Sequence, residues 1–175
     1  MPTQYEITSP AALFKEYYAR LCYFAFQFTA DKDKARDIAQ EAFVTYIQSQ
    51  HLSSHPSAIR NFLYSTVRNA CLNAIRHEKV VEKYASNSVQ SEIDDTSIML
   101  TMIQSEVMGE IYRAIETLPD ACRQIIRMGY LEGLKNPEIA DKLSISVNTV
   151  KTQKKRGIEM LKKRLNPEIF GFFFF

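Results

Sequence analysis

The sequence predicts an all-α protein: two small helical domains joined by a flexible acidic linker, the C-terminal one a helix-turn-helix four-helix bundle. Three observations carry this. Long runs of helix-forming residues dominate, no stretch alternates like a strand, and the 175 residues include only five Gly and six Pro. A polar, acidic stretch without periodicity, SNSVQSEIDDTS, interrupts the pattern and reads as a linker. Near the C-terminus, Asn136 to Leu165 reads as two short helices around a tight turn. The predicted bounds are 1–84, 85–97 and 98–175. With 46% hydrophobic and 24% charged residues, the chain can bury a core and is not a disordered protein.

Ser9-Pro10 starts the first helix, with Ser as cap and Pro in the first turn. Leu13, Phe14, Tyr17, Leu21, Phe24, Ala25 and Phe28 form its core stripe. The second helix starts near Asp31 to Asp33 and runs to about Ser49. Ala35, Ile38, Ala39, Ala42, Phe43, Tyr46 and Ile47 face inward. Asp37, Gln40, Glu41, Val44 and Gln48 share another face, which is either a docking face for a basic partner helix or an ordinary polar surface. The third helix opens at Pro56 or Ser57 and reaches about Lys83. Ile59, Phe62, Leu63, Val67, Ala70, Ala74 and Ile75 are its core side. Arg60, Asn61, Tyr64, Arg68, Asn69, Asn73 and Arg76 crowd the rest. Cations for phosphate, a ring for base stacking and amides for base edges suit single-stranded nucleic acid. A solvated basic helix explains the same pattern equally well.

After the linker, a helix from about Ile98 to Thr117 carries Met102, Val107, Met108, Ile111 and Ile115 at helical spacing. Pro119 starts another, ending at Glu132-Gly133 with Gly133 as C-cap. The helix-turn-helix follows. Asn136 is the expected N-cap, with Pro137 and Glu138 in the first turn. Ser144 to Ser146 make the turn, and Ser146 caps the second helix. Val150, Gly157, Ile158, Leu161 and Leu165 line its inner face; Asn148, Lys151, Thr152 and Lys155 lie opposite. From Lys135 to Arg164 there are nine Lys and Arg against three Asp and Glu, a local charge of +6 in a chain of +2. The concentration of charge favours DNA binding over a solvated amphipathic face. The closing GFFFF is an aromatic run without a clear role. It either folds back on the last domain or stays disordered.

Cys22, Cys71 and Cys122 are far apart, each in an apolar helical pattern, as buried free thiols would be. His51 and His55 lack nearby Cys or carboxylate partners, so no metal site is expected. No carboxylate pair, nucleophile and base, or phosphate-binding glycine loop stands at useful spacing. Neither an enzyme nor a cofactor is therefore expected. No signal segment or span of about 20 apolar residues is evident, so no membrane insertion and a cytoplasmic location are expected.

Read together, DKDKARDIAQEAFVTYI, IRNFLYSTVRNACLNAIRHEK and LPDACRQIIRMGYLEGLKNPEIADKLSISVNTVKTQKKRGIEMLKKRL resemble bacterial RNA polymerase sigma factors, most closely the small two-domain extracytoplasmic-function (ECF) group. The resemblance covers about Leu13 to Leu165. It implies that the protein is a non-catalytic specificity subunit that directs promoter-specific initiation. Asp37, Gln40, Glu41 and Phe43 match the segment that docks on the β′ coiled coil of core polymerase, which also contributes its β subunit. Arg60, Asn61, Tyr64, Arg68, Asn69, Asn73 and Arg76 lie in the helix that holds the melted −10 strand, where Phe62 stands in place of a frequent Trp. Asn148, Thr149, Lys151, Thr152, Lys155 and Arg156 lie in the helix that reads the duplex −35 element. Glu92, Asp94 and Asp95 would lie on a path near template and product strands. An anti-sigma partner is implied as well. Three features depart from the pattern. Lys135 replaces a frequent Ser, so the capping box is expected to be absent. Gly157 replaces Ala, and the aromatic tail has no counterpart. The C-terminal motif alone also resembles response-regulator output domains, but the N-terminal half lacks receiver-like βα alternation. A helical module that sequesters protein partners is the remaining alternative.

Overall fold

The computed structural model describes residues 9–49, 55–83 and 95–174. Among them the regular structure is helical: α1 (Pro10–Thr29), α2 (Lys32–Gln48), α3 (Pro56–Lys83), α4 (Asp95–Glu116), α5 (Asp120–Ile126), a π-helical turn (Arg127–Leu131), α6 (Asn136–Leu143), α7 (Val147–Lys162) and α8 (Pro167–Phe174). The all-α expectation holds. None of these helices is long and apolar enough to cross a membrane.

Two compact units divide the chain, Met1–Gly109 and Glu110–Phe175. The expected boundary lay at the polar stretch 85–97, of which 85–94 lie outside the described residues. The division instead falls inside α4, because the first part of α4 serves the core of the first unit. Ile98 and Met102 pack against that core. Ser105 and Glu106 bond to side chains of α1 and α3. Composition marked where polarity changes, whereas packing decides where the unit ends.

In the first unit, capping sets the helix starts. The Ala12 N–H donates to Ser9 Oγ at 3.2 Å, and Pro10 occupies the first turn. Asp31 Oδ1 accepts from the N–H groups of Asp33 (2.9 Å) and Lys34 (3.2 Å), starting α2. α1, α2 and α3 pack together around Leu21, Phe24, Ala39, Leu63 and Val67. The buried stripe of α3 is rotated from the expected one. Tyr64 and Cys71 lie inside, while Ala70, Ala74 and Ile75 are only half-buried. On α2, Ile47 was expected inside but is 53% exposed.

In the second unit, α5 and the π-helical turn form one helical stretch. It ends at Glu132, with Gly133 at φ +73° and the Leu134 N–H donating to Met128 O at 2.9 Å. The bond spans one residue more than the usual six-to-one helix ending because the last turn is π-helical, and glycine permits the positive φ that closes it. α5 and α6 both pack on α7. Gly157 is buried at the α5 contact, where an added Cβ would lie 2.9 Å from Ile126 Cγ1. The residue that looked like a helix-weakening departure is thus the one that permits close approach. The tail folds back as α8, with Phe170 buried.

Two outcomes follow. Gly157→Ala gains about 1 kcal/mol of helix propensity and loses about 1–3 kcal/mol to overpacking. Urea unfolding should find it destabilised or neutral; a gain near 1 kcal/mol would mean that Ile126 yields freely. In the first unit, burial pushes the Cys71 thiol up from 9.0 to about 11. The folded state thus keeps a proton that the unfolded state releases. Stability should be complete below about pH 9 and fall on the order of 2 kcal/mol as pH rises towards 11. Burial also raises Tyr64 above its usual 10.0, adding to the loss at the alkaline end. Urea unfolding of wild type and Cys71→Val at pH 8 and 10.5 checks this. Equal pH slopes in the two proteins would contradict the assignment to Cys71.

Candidate nucleic-acid interface

The helix-turn-helix is α6, its turn and α7. The expected N-cap, Asn136, is instead the first helical residue. Lys135 holds the cap position with extended backbone (φ −78°, ψ 156°) and has no side-chain oxygen to offer the helix. Half of the capping box nevertheless forms, against expectation: Glu138 Oε2 accepts from the Lys135 N–H at 2.6 Å. Relieved of capping, the Asn136 side chain is 3.5 Å from Lys154 Nζ, which it accepts. Ser144 ends α6 in the left-handed region (φ 53°), and the Ile145 N–H reaches back to Ala140 O at 3.0 Å. Ser146 Oγ caps α7 by accepting from the Thr149 N–H at 3.0 Å, as its position predicts. Ile125, Ile139, Ala140 and Val150 form the core beneath the motif.

With that core buried, the outer face of α7 projects into solvent. Asn148, Thr149, Lys151, Thr152, Lys155 and Arg156 are all exposed. Thr152 Oγ1 donates to Asn148 O at 2.9 Å, and Thr149 Oγ1 lies 2.9 Å from Ser146 Oγ. The two Lys and the Arg offer cations for phosphate; Asn148 and the Thr groups offer short polar side chains for base edges. Lys154 differs, being half-buried at the inner edge of α7. Its position, four residues after buried Val150, carried the signal that the run of lysines obscured.

On α3, Asn61, Asn69, Asn73 and Arg76 are exposed, and Arg60 and Arg68 are half-buried. Arg76 Nη1 donates to Asn73 Oδ1 at 3.4 Å, while Arg60 Nε is 3.6 Å from Glu106 Oε1. Tyr64 does not fit its expected role as a stacking ring. It is 4% exposed, its ring stands edge-on to Phe24 at 5.1 Å, and its hydroxyl donates to Glu106 Oε1 at 2.7 Å. A ring held this way offers no free face to a base. Glu106 also accepts from Arg20 Nη1 at 2.8 Å, and Arg20 pairs with Glu16 at 2.8 Å.

On α2, Asp37, Gln40, Glu41 and Gln48 are exposed. Val44 is 42% and Ile47 53% exposed, which gives this face an apolar component. Phe14, expected in the core, is 40% exposed; it stacks on Tyr18 at 4.3 Å, whose hydroxyl accepts from Gln40 at 3.5 Å. Phe43 does not belong to the exposed face. It is 5% exposed and packs 5.0 Å from Phe14. Of the two candidate metal histidines, His51 lies outside the described residues. His55 Nδ1 is 2.8 Å from Ser57 Oγ. Among the described residues no group of three or more His, Cys, Asp and Glu is placed to hold a metal.

Comparison with known families divides the chain in the same way. Residues 13–80 match the family described as Sigma-70 region 2, and residues 108–161 match Sigma-70, region 4. The chain is 24% identical over 158 residues to the ECF RNA polymerase sigma factor SigX of Bacillus subtilis (strain 168), covering 87% of this chain and 81% of the relative. It is 29% identical over 163 residues to SigW of the same organism (87% and 85% covered). With the ECF RNA polymerase sigma-E factor of Escherichia coli (strain K12) it shares 26% identity over 144 residues, covering 76% and 74%. With a region 2 match on the unit that carries the α2 and α3 faces and a region 4 match on the helix-turn-helix, the chain belongs to the sigma-70 family of RNA polymerase sigma factors, in its extracytoplasmic-function group.

Proposed function

We propose that this sigma factor acts in the cytoplasm as a dissociable, non-catalytic specificity subunit, directing core RNA polymerase to promoters with −10 and −35 elements. The observation that carries the reading is the pairing of an exposed acid-amide face on α2 with two exposed cation-amide faces, on α3 and α7, in a single chain.

Asp37, Gln40 and Glu41, with Val44 and Ile47 beside them, dock on the coiled coil of the β′ subunit. Carboxylates and amides pair with a basic helix, and the apolar residues supply area to bury. Phe43 supports this face from the core. Arg60, Asn61, Arg68, Asn69, Asn73 and Arg76 hold the melted −10 strand, with cations on phosphates and amides on base edges. Tyr64 braces α3 from beneath. Asn148, Thr149, Lys151, Thr152, Lys155 and Arg156 enter the major groove at the −35 element. A net charge of +2 limits the electrostatic attraction to DNA. Tethering both units to one polymerase supplies the remaining affinity as effective concentration. An anti-sigma partner would act by covering the same docking faces.

Glu41→Lys should abolish co-elution with core polymerase while urea unfolding stays within about 0.5 kcal/mol of wild type, the usual range for an exposed site. Unfolding of the variant, or undiminished core binding, would remove α2 from the interface. With holoenzyme on promoter DNA, Lys151→Ala and Lys155→Ala should each weaken binding and reduce the slope of log affinity against log salt by about one. Unchanged slopes would place both lysines off the DNA.

A further inference from the structure

We propose that the C-terminal aromatic helix positions the DNA-reading helix, acting through Tyr130 and Lys154. The proposal rests on the reading of α7 as the helix that enters duplex DNA. The region 4 match ends at residue 161, before α8 begins at Pro167, so the aromatic helix lies beyond the matched segment while Tyr130 and Lys154 lie within it.

The contacts form one chain through the second unit. Phe170 is buried and anchors α8. Its ring lies 4.6 Å from that of Phe174, which in turn is 4.9 Å from Phe173. Both of these rings reach Tyr130: Phe174 edge-on at 4.8 Å, Phe173 tilted at 5.9 Å. Tyr130 sits in the π-helical turn, where an extra residue per turn shifts the side-chain phase of the helix. The Lys154 ammonium lies over the same ring, 4.6 Å from its centroid. It also donates to Asn136 Oδ1 at 3.5 Å. Gly129 leaves room for it, since a Cβ there would lie 2.9 Å from Nζ.

Lys154, half-buried, thereby links its own helix to two other elements of its unit, the π-helical turn and the start of α6. Its neighbours Lys151, Lys155 and Arg156 are exposed. A free lysine here would join them as one more phosphate cation. Held by an aromatic face and an amide oxygen, it instead fixes the middle of α7 against α6. The aromatic rings of α8 hold Tyr130 in place, and Tyr130 holds Lys154. Asn136 contributes because Lys135 has taken the cap position and left its side chain free. The tail thus sets the angle at which Asn148, Lys151 and Lys155 meet the groove, without touching DNA.

The test uses holoenzyme on a promoter it initiates from, and on the same promoter with its −35 element scrambled. The readout is the affinity ratio between the two, together with its salt slope and the thermal melting of each variant. Tyr130→Leu, Lys154→Met and the double substitution Phe173→Ala, Phe174→Ala should each lower the ratio about tenfold. Tyr130→Phe keeps the ring and should stay within about twofold of wild type. Because no phosphate contact is lost, the salt slope should be unchanged in Lys154→Met. A slope reduced by about one would make Lys154 a phosphate contact and overturn the positioning role. Full discrimination in Tyr130→Leu and in the double Phe variant would overturn the proposal while leaving the sigma-factor reading intact. Equal loss in Tyr130→Phe would overturn the role of the ring. If wild-type holoenzyme itself fails to distinguish the two promoters, the assignment of α7 to the −35 element falls, and this proposal with it.

Discussion

At Gly157 the backbone of α7 comes so close to α5 that any larger residue would meet Ile126. This close approach lets a short, strongly charged helix be held by one narrow face. α7 spans Val147–Lys162 and buries only Val150, Gly157 and Leu161. Most of its remaining surface is Lys, Arg, Asn, Thr, Gln and Glu. A helix with so little apolar surface has weak intrinsic stability, and tertiary packing must supply the rest. Ile125, Ile139 and Ala140 supply it beneath the turn, and Ser146 supplies the cap. The exposed cationic and polar face of α7 is thus a by-product of tight packing on the opposite side.

The first unit solves a different problem with a buried polar cluster. Arg20 is 5% exposed and bonds to Glu16 and Glu106. Tyr64 shares Glu106, and Arg60 approaches it. Such a cluster adds little net stability, because desolvation offsets the attraction. It does fix geometry: each partner has one good arrangement, and losing any of them strands a charge. Gly109 belongs to the same cluster, since a side chain there would displace Arg20. The consequence for function is that α3 is fixed by its inner face while Asn61, Asn69, Asn73 and Arg76 remain exposed.

Helix starts were readable because they depend on local chemistry: Ser9, Asp31 and Ser146 cap as their sequence positions require. The family could be read for a different reason, namely three motifs in fixed order. What could not be read was set by distant partners. Tyr64 looks like a surface residue on a helical wheel, and only its packing against Phe24 of α1 and Ser105 of α4 places it inside. Gly157 looked like a defect until Ile126 was opposite it. Asn136 was expected at the cap, but the backbone of Lys135 adopted the cap geometry, with Glu138 completing half of the box. For the aromatic tail, folding back and disorder both stood open, because its partner, Tyr130, lies in a π-helical turn that no local pattern announces.

Charge ties these elements to the proposed mechanism. The 22 Lys and Arg of the chain nearly balance its 20 Asp and Glu, yet Lys135 to Arg164 carries a local +6, so the small net charge conceals a strong local pattern. On this account neither unit needs high affinity for DNA by itself, and specificity arises only on polymerase. The most direct measurement is to sequence the 5′ ends of transcripts made in vitro by core polymerase, with and without this protein, on genomic DNA. The account predicts a discrete set of new start sites that depend on the protein and share two sequence elements at −10 and −35. Initiation that is unchanged by the protein, at doses that saturate the core enzyme, would contradict it.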